Sequence, residues 1–219
     1  MASGRISRKA LDFTAEGVEL NRDVLSSLAH ELGGIASALD LRAAAMARSI
    51  AREDLAALRD IAEEVRMSTR AARFARGSDG SGMLNPTRRQ SLEDWWKLTG
   101  RFTATVLPRG VLVEPRFTPA HLTADQGSAL TWIWLAACKE IAERGLLTPA
   151  TLVLRGGAEE SNTAVALRAE LGVDRLPVAE ASTSRWSRYA ARIGKELGVR
   201  ATPWERDDSG WRWKCVVRT

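Results

Sequence analysis

Apolar residues recur at intervals of three or four over residues 18–76 and predict two long helices. The first helix carries a seam of five apolar residues, Leu25, Leu28, Leu32, Ile35 and Leu39. This spacing is typical of an amphipathic helix that packs like a coiled coil. The pattern repeats from Leu55 to Ala72 after a short turn, so we expect an antiparallel helical hairpin. Because a single hairpin leaves its seam uncovered, we also expect a homodimer that packs as a four-helix bundle.

A segment rich in glycine and serine separates this hairpin from the rest of the chain. The sequence GSDGSG occupies residues 77–82 and has the composition of a flexible linker. We therefore expect two domains: residues 1–80 form the helical hairpin, and residues 81–219 form a second unit of different composition.

The second unit mixes helix and strand patterns. Two of its helices begin with the signature of a capping box, in which Ser91 precedes Asp94 and Thr123 precedes Gln126 by three residues. A third, basic helix over 185–198 ends at a glycine. Strands are predicted over 111–114, 150–155, 163–171, 199–206 and 210–218. We expect an α/β sandwich with helices on one face of a mixed sheet, and thus an α+β fold for the whole chain.

Composition and charge argue against several partners and locations. No run of about 18 apolar residues is present, and the N-terminus lacks the apolar segment of a secretory signal, so we expect a cytoplasmic protein without a membrane partner. The formal net charge is +5, but basic and acidic residues alternate, and a nucleic acid is not expected as a partner. Cys138 and Cys215 fall in apolar runs and are expected to be buried thiols, so we predict no disulfide and no metal site.

His30 and Glu31 form the candidate reactive site. In the heptad frame of the seam, His30 occupies the outermost position of the helix, where an ordinary exposed polar residue is the alternative interpretation. A neutral imidazole is a good nucleophile toward phosphorus, and a neighbouring carboxylate can orient the ring and accept its proton. Gly33 and Gly34 each cost a helix about 1 kcal/mol relative to alanine. They indicate either an open patch beside His30 or a kink or close helix contact.

The segment LAHELGGIASALDL, residues 28–41, resembles the H-box of two-component sensor histidine kinases. The order of the later helices and strands is similar to that of the ATP-binding domain in this family. The resemblance implies that His30 accepts a phosphoryl group and that Glu31 orients it as the general base. It also implies a homodimer whose partners are response-regulator receiver domains.

The chain departs from the family at the nucleotide site. The asparagine that binds Mg²⁺ in the family falls closest to Leu135 and Lys139, neither of which can serve as that ligand. Only Glu170 and Gly172 remain as weak remnants of the D-x-G-x-G motif, and residues 176–183 replace the glycine-rich lid. We therefore expect no cofactor, neither ATP nor Mg²⁺. The chain is most similar to a histidine phosphotransferase with a degenerate, ATP-site-deficient domain.

These features predict a histidine-containing phosphotransfer protein of a phosphorelay, in which His30 exchanges a phosphoryl group with response-regulator aspartates. Autokinase activity from ATP is not expected, nor is phosphatase activity, because Gly34 stands where the family has threonine or asparagine. Two alternatives stay open: a divergent ATP-dependent sensor kinase with Glu170 in place of aspartate, and a non-catalytic dimeric scaffold that binds signalling proteins. An acidic regulator would be attracted by three basic residues near the far end of the hairpin, Arg42, Arg48 and Arg52.

Overall fold

The computed structural model describes residues 15–46, 61–62, 65, 89–159, 164–177 and 184–218. They form an α+β fold with a mixed sheet, as predicted. Most of the second helix of the predicted hairpin and the linker at 77–82 lie outside the described residues. Residues 61–62 and 65 are helical, and the complete hairpin stays a prediction.

Four helices are described, and the side chains of Ser91, Thr123 and Ser184 cap the N-termini of three of them. They are α1 (Ala15–Met46), α2 (Leu92–Val106), α3 (Ala124–Glu143) and α4 (Arg185–Leu197). The Ser91 hydroxyl accepts a hydrogen bond from the Asp94 backbone N–H at 3.1 Å. Thr123 and Gln126 form the complete capping box that the sequence predicts. Helix α4 ends at Gly198, whose φ of 68° is the left-handed conformation that glycine adopts without strain.

The strands form one large sheet and one two-stranded ribbon. In chain order they are β1 (Gln90–Ser91), β2 (Val111–Phe117), β3 (His121–Leu122), β4 (Ala150–Ala158), β5 (Ala164–Leu171), β6 (Val199–Ala201), β7 (Glu205–Asp207) and β8 (Gly210–Arg218). The large sheet has the order β2-β4-β5-β8-β6, with β7 also paired to β8. Strands β2 and β4 are parallel, and the remaining pairs are antiparallel. Strands β1 and β3 form the ribbon.

The single strand predicted over 199–206 is wrong, because the chain leaves the sheet between β6 and β7. Pro203 has no N–H to donate to a ladder. Trp204 is buried, and its indole N–H donates to the carbonyl oxygen of Ala137 in α3 at 2.9 Å. This anchor in the core divides the predicted strand into two short ones.

Helices α2, α3 and α4 cover one face of the sheet, and the other face is exposed to solvent. Along β5, Leu167, Ala169 and Leu171 are buried in the core, whereas Arg168 is exposed. The rings of Trp134 in α3 and Trp213 in β8 meet at a centroid distance of 5.5 Å. The α/β sandwich predicted for residues 81–219 therefore has its helices on one face.

Helix α1 packs on the helical layer of this sandwich, and it divides the predicted seam into two faces. It contacts α2, α3 and α4, and Leu20, Val24 and Leu28 join the same hydrophobic core as the sandwich. The prediction of one continuous dimer seam is therefore wrong for Leu28, which covers the chain's own core. Ile35, another residue of that predicted seam, is also buried. The predicted seam residues that stay exposed are Leu25, Leu32 and Leu39.

Candidate functional site

His30 lies near the middle of α1, with an exposed side chain. The two glycines of the next turn also face open space. A Cβ atom added at Gly33 or Gly34 would meet no described atom within 4 Å. Helix α1 continues through both glycines, and the Ser37 hydroxyl donates to the Gly33 carbonyl oxygen at 3.0 Å. Within the described residues, the arrangement is that of an open patch beside His30 and not of a close helix contact.

Glu31, the neighbour of His30, is half-buried between α1 and α2. Its Oε2 lies 3.5 Å from Nη1 of Arg101, and both side chains are about three-quarters covered, with exposed fractions of 23% and 27%. Residues next to each other on a helix project about 100° apart. His30 can therefore face solvent while Glu31 contacts the sandwich, and Arg101 holds the predicted orienting carboxylate in place.

Three further ion pairs, made by two basic residues, connect the start of α1 to the sandwich. Nζ of Lys139 in α3 lies 2.6 Å from Asp23 Oδ2 and 3.2 Å from Glu19 Oε1. Arg185, at the start of α4, lies 3.0 Å from the second oxygen of Glu19 and also pairs with Glu143. Burial lowers the pKa of Lys139, but the hydrogen bonds and charges of Asp23 and Glu19 outweigh it and leave that pKa above its ordinary value. The ammonium group therefore stays charged at neutral pH.

The residues that the resemblance relates to a nucleotide site are not brought together. Leu135 is fully buried in the core, and Lys139 contacts α1. Glu170 lies on the solvent-facing side of the sheet, 3.3 Å from Nε of Arg155. Gly172 is exposed and precedes a single 3₁₀ turn. The shortened lid lies mainly outside the described residues, as do Arg48 and Arg52 of the predicted basic stretch.

Other chemistry in the described part of the chain is sparse. Cys138 and Cys215 are free and buried, as predicted, and burial raises the pKa of both thiols. Within the described ranges, no group of three or more histidine, cysteine or acidic side chains could hold a metal ion. None of the helices described is both long and apolar enough to cross a membrane.

The ion pairs between α1 and the sandwich could not be predicted from the sequence. Glu19 and Asp23 are four residues apart and therefore share one face of a helix, which is the one signal that an acidic contact surface leaves in the sequence. Lys139 is 116 residues from its partner Asp23, and Arg101 is 70 residues from its partner Glu31. No local pattern connects residues that distant.

The fold was compared with those of known proteins. No protein-family model and no curated protein matches the sequence. The structure is similar to the histidine kinase domain of a blue-light-activated histidine kinase from Erythrobacter litoralis, with 11% identity over 92% of this chain and 93% of that chain, and a TM-score of 0.51. The chain has a histidine kinase-like fold.

Two other solved structures align over similar lengths. A bacterial phosphotransferase shares 15% identity over 94% of this chain and 99% of its own, with a TM-score of 0.46. The histidine kinase AdeS from Acinetobacter baumannii shares 11% identity over 86% and 97%, also with a TM-score of 0.46. At such low sequence identities, structural similarity indicates a shared fold and does not indicate a shared activity.

Proposed function

We propose that this protein is a histidine-containing phosphotransfer protein of a two-component phosphorelay. His30 would take a phosphoryl group from an aspartate of one receiver domain and pass it to another. The observation that supports this best is the exposure of His30 beside two glycines in open space, because a globular partner must bring its aspartyl phosphate up to the ring. A residue buried against the sandwich could not meet such a partner.

The transfer uses a neutral imidazole. One ring nitrogen attacks the phosphorus of the aspartyl phosphate, the phosphorus–oxygen bond breaks, and the aspartate leaves as a carboxylate. The other ring nitrogen gives up its proton, and we assign its acceptor to Glu31. Arg101 lies 3.5 Å from Glu31 on the sandwich side of α1, so the carboxylate turns from this ion pair toward the ring when it accepts the proton.

A receiver domain, and not ATP, is the proposed source of the phosphoryl group. Transfer from ATP depends on Mg²⁺ and on donors that neutralise the moving charge. Here Lys139 is held by two carboxylates, Leu135 is buried, and Glu170 pairs with Arg155 on the opposite side of the sheet. A titration with Mg-ATP should show no binding at millimolar concentration. Micromolar binding would favour the alternative of a divergent kinase.

The proposed assembly is a homodimer formed through the outer face of α1. Val18, Leu25, Leu32 and Leu39 follow one another at intervals of seven residues and are 40–56% exposed. These four residues, the exposed apolar stripe, keep the strict heptad spacing of a helix-packing surface. The stripe lies on a different face from Leu20, Val24 and Leu28, so a second copy can pack on it while the sandwich stays in place.

The direct test compares phosphoryl donors. Purified protein is incubated with a ³²P-labelled receiver domain, with γ-labelled ATP, or with neither, and the acid-labile label is measured. The proposal predicts labelling from the receiver alone. Labelling from ATP would indicate a kinase. Absence of label with both the receiver domain and ATP would support the scaffold alternative.

A further inference from the structure

Four basic side chains lie in one row across the solvent-facing side of the sheet. Arg116 of β2 pairs in register with Arg155 of β4, Arg155 with Arg168 of β5, and Arg168 with Lys214 of β8. Neighbouring strands are about 4.8 Å apart, so this cation row spans roughly 14 Å. Like charges directly opposite each other destabilise a sheet. Their alignment on four adjacent strands is therefore stabilised by anionic groups beside it, whether from this chain or from a ligand.

Carboxylates of the chain itself neutralise only part of the cation row. Arg116 pairs with Glu114 at 2.8 Å, and Arg155 with Glu170 at 3.3 Å. Lys214 pairs with Glu159 at 3.3 Å. Arg168, near the middle of the row, is exposed and makes no ion pair with any residue that the structure describes. Its guanidinium is available to a ligand.

The cation row borders an open groove of about 770 Å³. Gly157 and Ala166 form part of its floor, where the lack of long side chains leaves the depression between the arginines. A Cβ atom at Gly157 would lie 2.0 Å from Oγ1 of Thr118, the residue after β2, so a larger residue at this position would displace the Thr118 side chain. Guanidinium groups bind carboxylates and phosphates through paired hydrogen bonds.

The surroundings of the cation row distinguish among anionic partners. In the described strands, the tryptophans of β8, Trp211 and Trp213, are buried in the core beneath the helices. Phe117 lines one end of the groove, but its ring packs edge-on against Trp95 and Trp96 of the helical layer. The described part of the exposed face therefore offers no series of aromatic rings on which successive nucleic-acid bases could stack. Glutamates flank the row and would repel a continuous polyanion or an anionic membrane, whereas a protein segment can place single carboxylates on the row alone.

We propose that the solvent-facing side of the sheet binds an acidic segment of a partner protein, whose carboxylates lie along Arg116, Arg155, Arg168 and Lys214. Helix α1 and His30 lie on the opposite, helical side of the sandwich. Binding to the cation row is thus independent of phosphoryl transfer at His30, and each proposal can fail without the other.

The test uses the full chain and a helical peptide with four glutamates along one face, beside the same peptide with glutamines. Affinity is measured by fluorescence anisotropy at near-physiological salt. The double variant Arg155→Gln/Arg168→Gln should bind the glutamate peptide about tenfold more weakly than the unaltered protein. The matched control Arg109→Gln/Lys195→Gln removes two exposed charges elsewhere and should change the affinity by less than about twofold.

The proposal would be overturned if the glutamate peptide did not bind at about 1 mM, or if both double variants lost the same affinity for it. It would also be overturned if a single-stranded oligonucleotide or phosphatidylglycerol vesicles bound more tightly than the peptide and depended on the cation row. If the first double variant fails to fold, Arg168→Gln alone is used. This substitution breaks no ion pair among the described residues and should still weaken the peptide complex.

Discussion

Nζ of Lys139 in α3 lies 2.6 Å from the carboxylate of Asp23 in α1. Glu19 adds a second carboxylate at 3.2 Å, and the pair of Glu31 with Arg101 lies further along the same helix. Helix α1 is therefore held to the sandwich by charge as well as by its apolar face. Lys139 therefore has a structural role, because it binds α1.

Replacing Lys139 with methionine should destabilise the protein. The substitution leaves Asp23 and Glu19 partly buried without their shared cation, and we expect a loss of about 1 kcal/mol, or about 3 °C in Tm. Lys195→Met is the matched control, because Lys195 is exposed on α4. Thermal unfolding followed by circular dichroism measures both variants. Equal changes in Tm would show that the contact with α1 contributes nothing.

The contribution of Lys139 should disappear in alkaline solution. Its pKa is raised in the folded protein, so its stabilisation is fully present below the unfolded-state pKa of about 10.4 and is lost as pH rises through the higher folded value. The difference in unfolding free energy between wild type and Lys139→Met should stay constant from about pH 7 to 10 and then fall. Urea unfolding at several pH values measures it. A difference that grows above pH 10 would contradict the assigned ion pair.

The helix boundaries of the sandwich were predictable because caps depend on neighbouring residues. Ser91 with Asp94 and Thr123 with Gln126 each mark a helix start from four adjacent positions. The strand over 199–206 was mispredicted because burial of Trp204 against α3 is a tertiary contact. Apolar spacing predicted α1 but could not assign its two faces, since Leu28 and Leu32 have the same character and different partners.

Only part of the candidate site could be predicted from the sequence. The outward position of His30 follows from the periodicity of its own helix. The contact between Glu31 and Arg101 joins residues of different elements, and no pattern in the sequence indicates it.

Alanine at Gly33 or Gly34 should stabilise α1. Neither added methyl group would meet a described atom within 4 Å, so the gain in helix propensity of about 1 kcal/mol is not offset by a clash. The reverse substitution Ala36→Gly, at an exposed position of the same helix, should lower the stability by a similar amount. Both effects are measured by urea unfolding. A loss of stability in Gly34→Ala would indicate that this position is packed closely.

Polar residues in the exposed apolar stripe should dissociate the proposed dimer without unfolding the chain. Leu25 and Leu32 are 51% and 46% exposed, so Leu25→Gln/Leu32→Gln removes little apolar surface from the core. Multi-angle light scattering should show a dimer for wild type and a monomer for this variant. Leu112→Gln, an exposed position in β2, should leave the dimer intact. A monomeric wild type, or a double variant that stays dimeric, would contradict the assignment.

In the proposed mechanism His30 carries the phosphoryl group, and labelling of single-site variants by a ³²P-labelled receiver domain shows whether it does. The chain has one other histidine, His121, which is exposed in β3 and serves as the control. We predict that wild type and His121→Ala acquire acid-labile label, and that His30→Ala acquires none. Labelling of His30→Ala at the wild-type level would show that another residue carries the phosphoryl group.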